Sequence, residues 1–221
     1  LDAQATSSSI FLEEGDAGSE ATSVYAVFKE RVPAATILQP TRFDQLKLLP
    51  AIVQLADVET LLSGAVDGFF RLKDSLDSLN GTAGDSAVDT IIIACPPNLG
   101  LLPVNAFVTA THLAVPLQTA KFSLDGVKTI LDTTATVQKR FNPGLQILGG
   151  LITMHNPRTA ISQAISEPIQ EYIPVFETTI SRTVAVEESH LMGQTIFEYQ
   201  ARSKAATEYA AFTAEVLRGI V

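Results

Sequence analysis

Apolar and polar positions follow two rhythms along this chain. In the first eighty residues the spacing is helical. "SVYAVFKERV" from Ser23 reads as a helix, and "VQLADVETLLSG" and "VDGFFRLKDSLDSL" read as two more, split near Gly64. Between them "TILQPTRFDQLKLLPA" predicts extended segments broken at Pro40 and Pro50. The opening "LDAQATSSSIFLEEGDAGSEATS" is small, polar and acidic, and predicts a loop. "NGTAGDS" is another loop by its Asn-Gly and glycine content.

Beyond it the pattern becomes regular. Thr90 to Cys95 predicts a buried strand, Leu102 to Thr111 a helix, and "LAVPLQ" a short apolar strand. In "FSLDGVKTILDTTATVQKRF", Val127, Ile130, Leu131, Thr134, Val137 and Phe141 form one helical stripe. "LQILGGLITM" is a continuous apolar strand, "RTAISQAISEPIQEYI" a helix and "PVFETTI" a strand. The chain closes on a helix with Tyr209, Phe212, Val216 and Ile220 on one face. Unbroken apolar strands alternating with helices predict a parallel sheet covered on both sides, with ligands at the carboxyl ends of its strands. The expectation is one α/β domain over 1–221.

Composition narrows the function without naming it. The 221 residues are 46% hydrophobic and 18% charged, as in globular proteins. No run approaches the roughly 18 apolar residues of a membrane span, and no leader pattern is visible. One cysteine excludes an internal disulfide framework, and a reducing cytoplasm is the expected setting. A net charge of −9 argues against a generic nucleic-acid binder.

Candidate chemistry is sparse. None of the 13 glycines precedes a lysine, so no G-x-x-x-x-G-K-[ST] phosphate loop is present. His112, His155 and His190 are too dispersed for a metal site or triad. Cys95 reads as a small packing residue, and as a reactive thiol only if exposed beside positive charge. Glu187 and Glu188, adjacent on a helix, read as a solvated face rather than an acid–base pair. The last helix has too few cations for a membrane anchor and reads as core packing.

Five ordered segments carry a resemblance. "LDAQATSS" is similar to the switch I segment D-x-Q-x-[NT]-x-S of the ParA/Soj branch of the deviant Walker A ATPases, the group that includes MinD. "IIIACPPNLGLLPVNAF" resembles the Walker B strand and its following helix, and "VPLQTAKFSLDGV" resembles V-P-x-Q-x-x-x-F-[AS]-L-x-G. "RFNPGLQILGGLITMHNPRT" and "ISRTVAVEESHLMGQTIFEYQARSKAATEY" complete the order.

The resemblance implies a three-layer α/β/α fold with a mostly parallel central sheet. It implies a cytoplasmic homodimer that closes around two ATP molecules with Mg2+ and hydrolyses them slowly. Such dimers bind DNA non-specifically and meet a ParB-like or other cargo adaptor that stimulates hydrolysis. In the family a strand, phosphate loop and helix, on the order of 30 residues, precede switch I. This sequence starts at switch I, so the expectation is a domain N-terminally incomplete relative to the family, its first strand and P-loop absent.

Site residues follow by position. Asp2 matches the switch I aspartate that helps place the attacking water. Ala94 stands where the family's Walker B aspartate holds magnesium, so no metal ligand is expected there and hydrolysis should be impaired. Met154 and Arg182 match positions flanking adenine, with Ser181 in place of the usual proline. Ala185 replaces a basic DNA-contact residue, while Arg202 and Lys204 match the second basic cluster. With two such cations, DNA binding by this chain alone is expected to be weak or absent. Two roles follow: a partitioning or positioning ATPase of DNA or cellular cargo, or a non-catalytic scaffold that keeps the fold.

Overall fold

Low helix propensity does not prevent the serine-rich opening from folding. Thr6–Phe11 forms a helix, α1, where a loop is expected. Tertiary contact outweighs the local preference of serines for turns. Ser8 is buried, and its hydroxyl accepts the Ala51 N–H at 2.9 Å. Phe11 meets Phe43 edge-to-face at 6.1 Å, with the Arg42 guanidinium over both rings.

The computed structural model describes residues 1–12, 18–80, 88–118, 124–155 and 169–220. They divide into two compact units, Leu1–Ala110 with Arg140–Asn142, and Thr111–Lys139 with Pro143–Val221.

In the first unit, α2 (Val24–Glu30) buries Val24 through Phe28, the mark of a helix surrounded by core. It ends where Arg31 turns left-handed. The short α3 (Ala34–Ile37) follows, then an antiparallel ribbon of β1 (Gln39–Pro40) and β2 (Lys47–Leu48), as the proline breaks predict. A 3-10 turn at Val53–Asp57 runs into α4 (Val58–Leu61), and α5 (Arg71–Leu76) and α6 (Leu101–Thr109) complete the set. Val27, Phe28, Leu55, Val58, Leu72 and Leu102 share one core. The fully buried Asn105 of α6 is satisfied on both sides. Its amide donates to Gly68 and Leu101 carbonyls, and its oxygen accepts the Leu72 N–H.

Thr90 to Cys95 departs from expectation. It forms no strand, and Ile91 and Ile92 are 46% and 91% exposed. An apolar run becomes a strand only against a neighbour that completes its ladder, and among the described residues none does.

In the second unit the sequence rhythm is followed closely. β3 (His112–Gln118) and β4 (Gln146–Thr153) pair in parallel, with Val115 opposite Gly150 and Leu117 opposite Ile152. The crossover between them contains α7 (Leu124–Arg140), whose Val127, Thr134 and Val137 are buried. Phe141 lies beyond the helix and belongs to the first unit, where it packs on Phe69 and Phe70. The helix expected in "RTAISQAISEPIQEYI" lies mostly outside the described residues, although Ile169 and Ile173 are buried in the β3–β4 core.

"PVFETTI" is only partly a strand. Phe176 N–H donates to Gly150 and Ile180 N–H to Ile152, so the segment pairs with β4 at both ends. Between them the N–H groups of Glu177 and Thr178 turn away and donate to the Glu215 carboxylate at 2.7 and 3.0 Å. This approach needs glycine at Gly149, where φ is 150° and an added Cβ would lie 2.9 Å from the Pro174 carbonyl oxygen.

The chain ends with α8 (Val184–Leu191), α9 (Ile196–Gln200) and α10 (Lys204–Gly219). Tyr209, Phe212 and Val216 pack on Leu151, Phe176 and Ile180, while Ile220 stays 37% exposed beyond the helix. Helices with a parallel strand pair place the chain in the α/β class.

Partial burial raises the Glu215 pKa, but the Glu177 and Thr178 N–H groups, the Thr178 hydroxyl and Arg218 outweigh it and hold the carboxyl below its usual range. A depressed folded pKa gives stability that is complete above the unfolded value, about 4.3, and lost as pH falls through the folded value. Urea midpoints of the wild type should therefore fall as pH drops below about 4.3. Glu215→Gln should lower the midpoint at neutral pH and flatten that dependence; an unchanged slope would contradict the assignment.

Candidate functional site

The first unit brings together two positions from distant parts of the sequence. The Leu1 amino group donates to the Ala94 carbonyl at 2.7 Å across 93 positions, so Asp2 and Ala94 belong to one locality. Asp2 is half-buried, and its carboxylate accepts the Gln4 N–H at 3.0 Å while its carbonyl accepts the Ala5 N–H. That turn leads into α1 and is a local use of the side chain. Ala94 is exposed and offers a methyl group. Among the described residues no three His, Cys, Asp or Glu side chains group as a metal site. The Ala94 side chain itself offers no oxygen to a divalent cation.

The adjoining helix start is also taken. Glu59 accepts the Leu101 N–H at 2.9 Å at the first turn of α6. An added Cβ on Gly100 would fall 1.6 Å from that carboxylate oxygen. A carboxylate already satisfying a helix N-terminus competes with any anion there. A cavity of about 210 Å³ lies elsewhere in this unit, between Arg31, Asp67, Arg71 and Ser75. Its guanidinium groups are already paired with Asp67, at 2.9 and 3.2 Å.

The second unit brings Met154 and Arg182 together. His155 and Ser181 form a parallel bridge: His155 N–H donates to Ile180, and Arg182 N–H donates back to the His155 carbonyl at 3.1 Å. Met154 follows β4 with φ 51° and is 49% exposed. The Arg182 guanidinium reaches toward Glu187 at 3.5 Å, both groups exposed. A polarizable thioether and a planar guanidinium are the two side chains best suited to lie on a flat, electron-rich ring. Among the described residues, buried side-chain atoms without a partner are His155 Nδ1, at this bridge, and Thr183 Oγ1, at the N-cap of α8.

The two cations before and within α10 differ in environment. Arg202 is exposed in the turn. The Lys204 ammonium donates to the Ser181 hydroxyl at 2.8 Å and lies 3.3 Å from Glu208. Ala185 packs against Ile196, Ala205 and Ala206, so the position serves the core of the α8–α10 region.

Glu208 and Glu215 are absent from the candidate residues read in the sequence. Their signal was available: two carboxylates seven apart on α10, beside the apolar stripe of Tyr209, Phe212 and Val216.

Cys95 is exposed as a residue, yet packing around its sulfur pushes the thiol pKa up, and the Leu1 ammonium only partly opposes this. A raised pKa leaves less thiolate at neutral pH. Iodoacetamide at pH 7.5 should thus modify Cys95 more slowly in the folded protein than in urea; equal or faster modification would contradict this environment.

Comparison with known proteins places this arrangement among relatives. The family profile described as AAA domain matches residues 1–147. The sporulation initiation inhibitor protein Soj of Bacillus subtilis is 33% identical over 195 residues, covering 87% of this chain and 75% of Soj. The chromosome partitioning protein ParA of Myxococcus xanthus is 32% identical over 198 residues, covering 89% of this chain and 68% of ParA. Among solved structures, cobyrinic acid a,c-diamide synthase of Mycobacterium smegmatis, with bound ATP analog and magnesium, is 32% identical. It superposes with a TM-score of 0.74 over 89% of this chain and 72% of that one.

Proposed function

Because the chain belongs to the ParA/MinD family of P-loop ATPases, we propose that it is a partitioning or positioning protein that segregates DNA or spaces cellular cargo. The observation carrying this reading is the match to chromosome-partitioning ParA over 89% of the chain. The working form is a cytoplasmic homodimer whose assembly responds to ATP, over one ParA-like domain of residues 1–221. A ParB-like or other cargo adaptor is its stimulating partner. No helix among the described residues is long and apolar enough to cross a membrane.

Met154 and Arg182 flank the adenine. Asp2 is the switch I carboxylate, a reading supported by the contact of its neighbour Leu1 with the Ala94 carbonyl. When bound, ATP would supply the differential affinity that biases the protein toward its dimeric state. Ala94 supports slow or absent hydrolysis, since a methyl group supplies no oxygen through which a metal could be held. It equally favours the second reading, a non-catalytic scaffold with the family fold. DNA binding is weak: Arg202 and Lys204 are both exposed, but Lys204 is shared with Glu208. Two cations release few counterions beside the roughly six to ten phosphate contacts of a firm binder.

Substitution at position 94 separates the two readings. Ala94→Asp restores an oxygen ligand at an exposed position and should raise Mg2+-dependent ATP affinity about tenfold, with measurable turnover. Turnover in the wild type equal to that of Ala94→Asp would contradict impaired hydrolysis. No metal-dependent gain in the variant would favour the scaffold.

A further inference from the structure

The wall formed by Met154 and Arg182 is held from behind by one side chain. His155 and Ser181 face each other across its backbone bridge, and Thr183 sits at the N-cap of α8 just beyond. His155 Nδ1 and Thr183 Oγ1 have no partner, whereas Ser181 is gripped at two points. Its N–H donates to Glu208 Oε2 at 2.8 Å and its hydroxyl to Glu208 Oε1 at 2.7 Å. The same hydroxyl accepts from Lys204 Nζ at 2.8 Å. Glu208 has a side-chain exposure of only 15%, so its carboxylate has lost most of its water and depends on these donors. Hydrogen bonds to a charged acceptor are the stronger kind.

Ser181 immediately precedes Arg182, and its bridge partner His155 immediately follows Met154. Fixing the Ser181 amide therefore fixes the backbone that presents both wall residues. Apolar packing alone would not set this register: Ile180 anchors the segment in the core, but the N–H groups of Glu177 and Thr178 just before it have already left the β4 ladder. The ladder bonds from Ile180 to Ile152, from His155 to Ile180 and from Arg182 to His155 hold the backbone on either side of Ser181. The α10 carboxylate holds the amide and hydroxyl of Ser181 itself.

We propose that Glu208 is the positioning residue of the nucleobase wall, acting through Ser181, with Lys204 balancing its charge. This rests on the reading that Met154 and Arg182 hold the base. It also gives Lys204 a structural partner that competes with its use as a phosphate contact.

The test measures binding of ATP and of inorganic tripolyphosphate, which has no base, to the intact protein by calorimetry. Arg182→Ala tests the wall itself. Glu208→Ala tests the positioning, and Ser181→Ala, which keeps the backbone donor, serves as the milder variant should Glu208→Ala fail to fold. Glu208→Ala is expected to weaken ATP about tenfold, the worth of one charge-assisted hydrogen bond, and to leave tripolyphosphate unchanged. Ser181→Ala should weaken ATP by a smaller factor. In nucleotide-free protein the Ser181 amide should exchange faster in Glu208→Ala than in the wild type. If Arg182→Ala weakens ATP and Glu208→Ala does not, the positioning role is overturned alone. Equal losses for ATP and tripolyphosphate in Glu208→Ala would overturn it as well, since they report general destabilisation. If Arg182→Ala changes nothing, or the wild type binds no ATP, the wall reading and the positioning role fall together.

Discussion

Two carboxylates on the last helix hold a strand that cannot complete its own ladder. Glu215 accepts the two amides that leave β4 at Glu177 and Thr178, and Glu208 accepts the amide and hydroxyl of Ser181. The apolar stripe between them, Tyr209, Phe212 and Val216, lies on Leu151, Phe176 and Ile180. Burial supplies the attraction between α10 and the sheet, and the carboxylates make it directional. Without them, the segment from Pro174 to Arg182 would carry polar backbone groups without partners beside a core, a costly arrangement. The order of this segment decides where Met154 and Arg182 stand.

The second unit was largely legible in the sequence. Continuous apolar runs gave β3 and β4, and the 3.6-residue stripe gave α7 and α10, because each buries a face whose period matches its element. Legibility failed wherever a distant partner decided the outcome. α1 forms in a serine-rich stretch because Ser8 finds Ala51 forty-three positions away. The run at Thr90 to Cys95 lacks a neighbour among the described residues, so Ile91 and Ile92 remain exposed. "PVFETTI" reads as a regular strand, and nothing in its own residues announces that Glu215 will draw two amides out of line.

The site shows the same division. Positions of Met154, Arg182 and Asp2 came from resemblance to a family. Their surroundings came only from structure: the bridge at His155, the turn capped by Asp2, and the clamp by Glu208. The two units also differ in what surrounds their candidate residues. In the second, the backbone beside Met154 and Arg182 is bridged at His155 and braced by Glu208. In the first, Ala94 carries no oxygen ligand on its side chain, and the nearby start of α6 is already capped by Glu59.

Amide hydrogen exchange of the nucleotide-free protein tests this contrast most directly. The account predicts slow exchange at Phe176, Ile180, Ser181 and Arg182, whose N–H groups are all engaged, and fast exchange across Thr90 to Cys95. Exchange at Ser181 and Arg182 as fast as at Ile92 would contradict an ordered segment, and with it the claim that α10 fixes the backbone beside Met154 and Arg182.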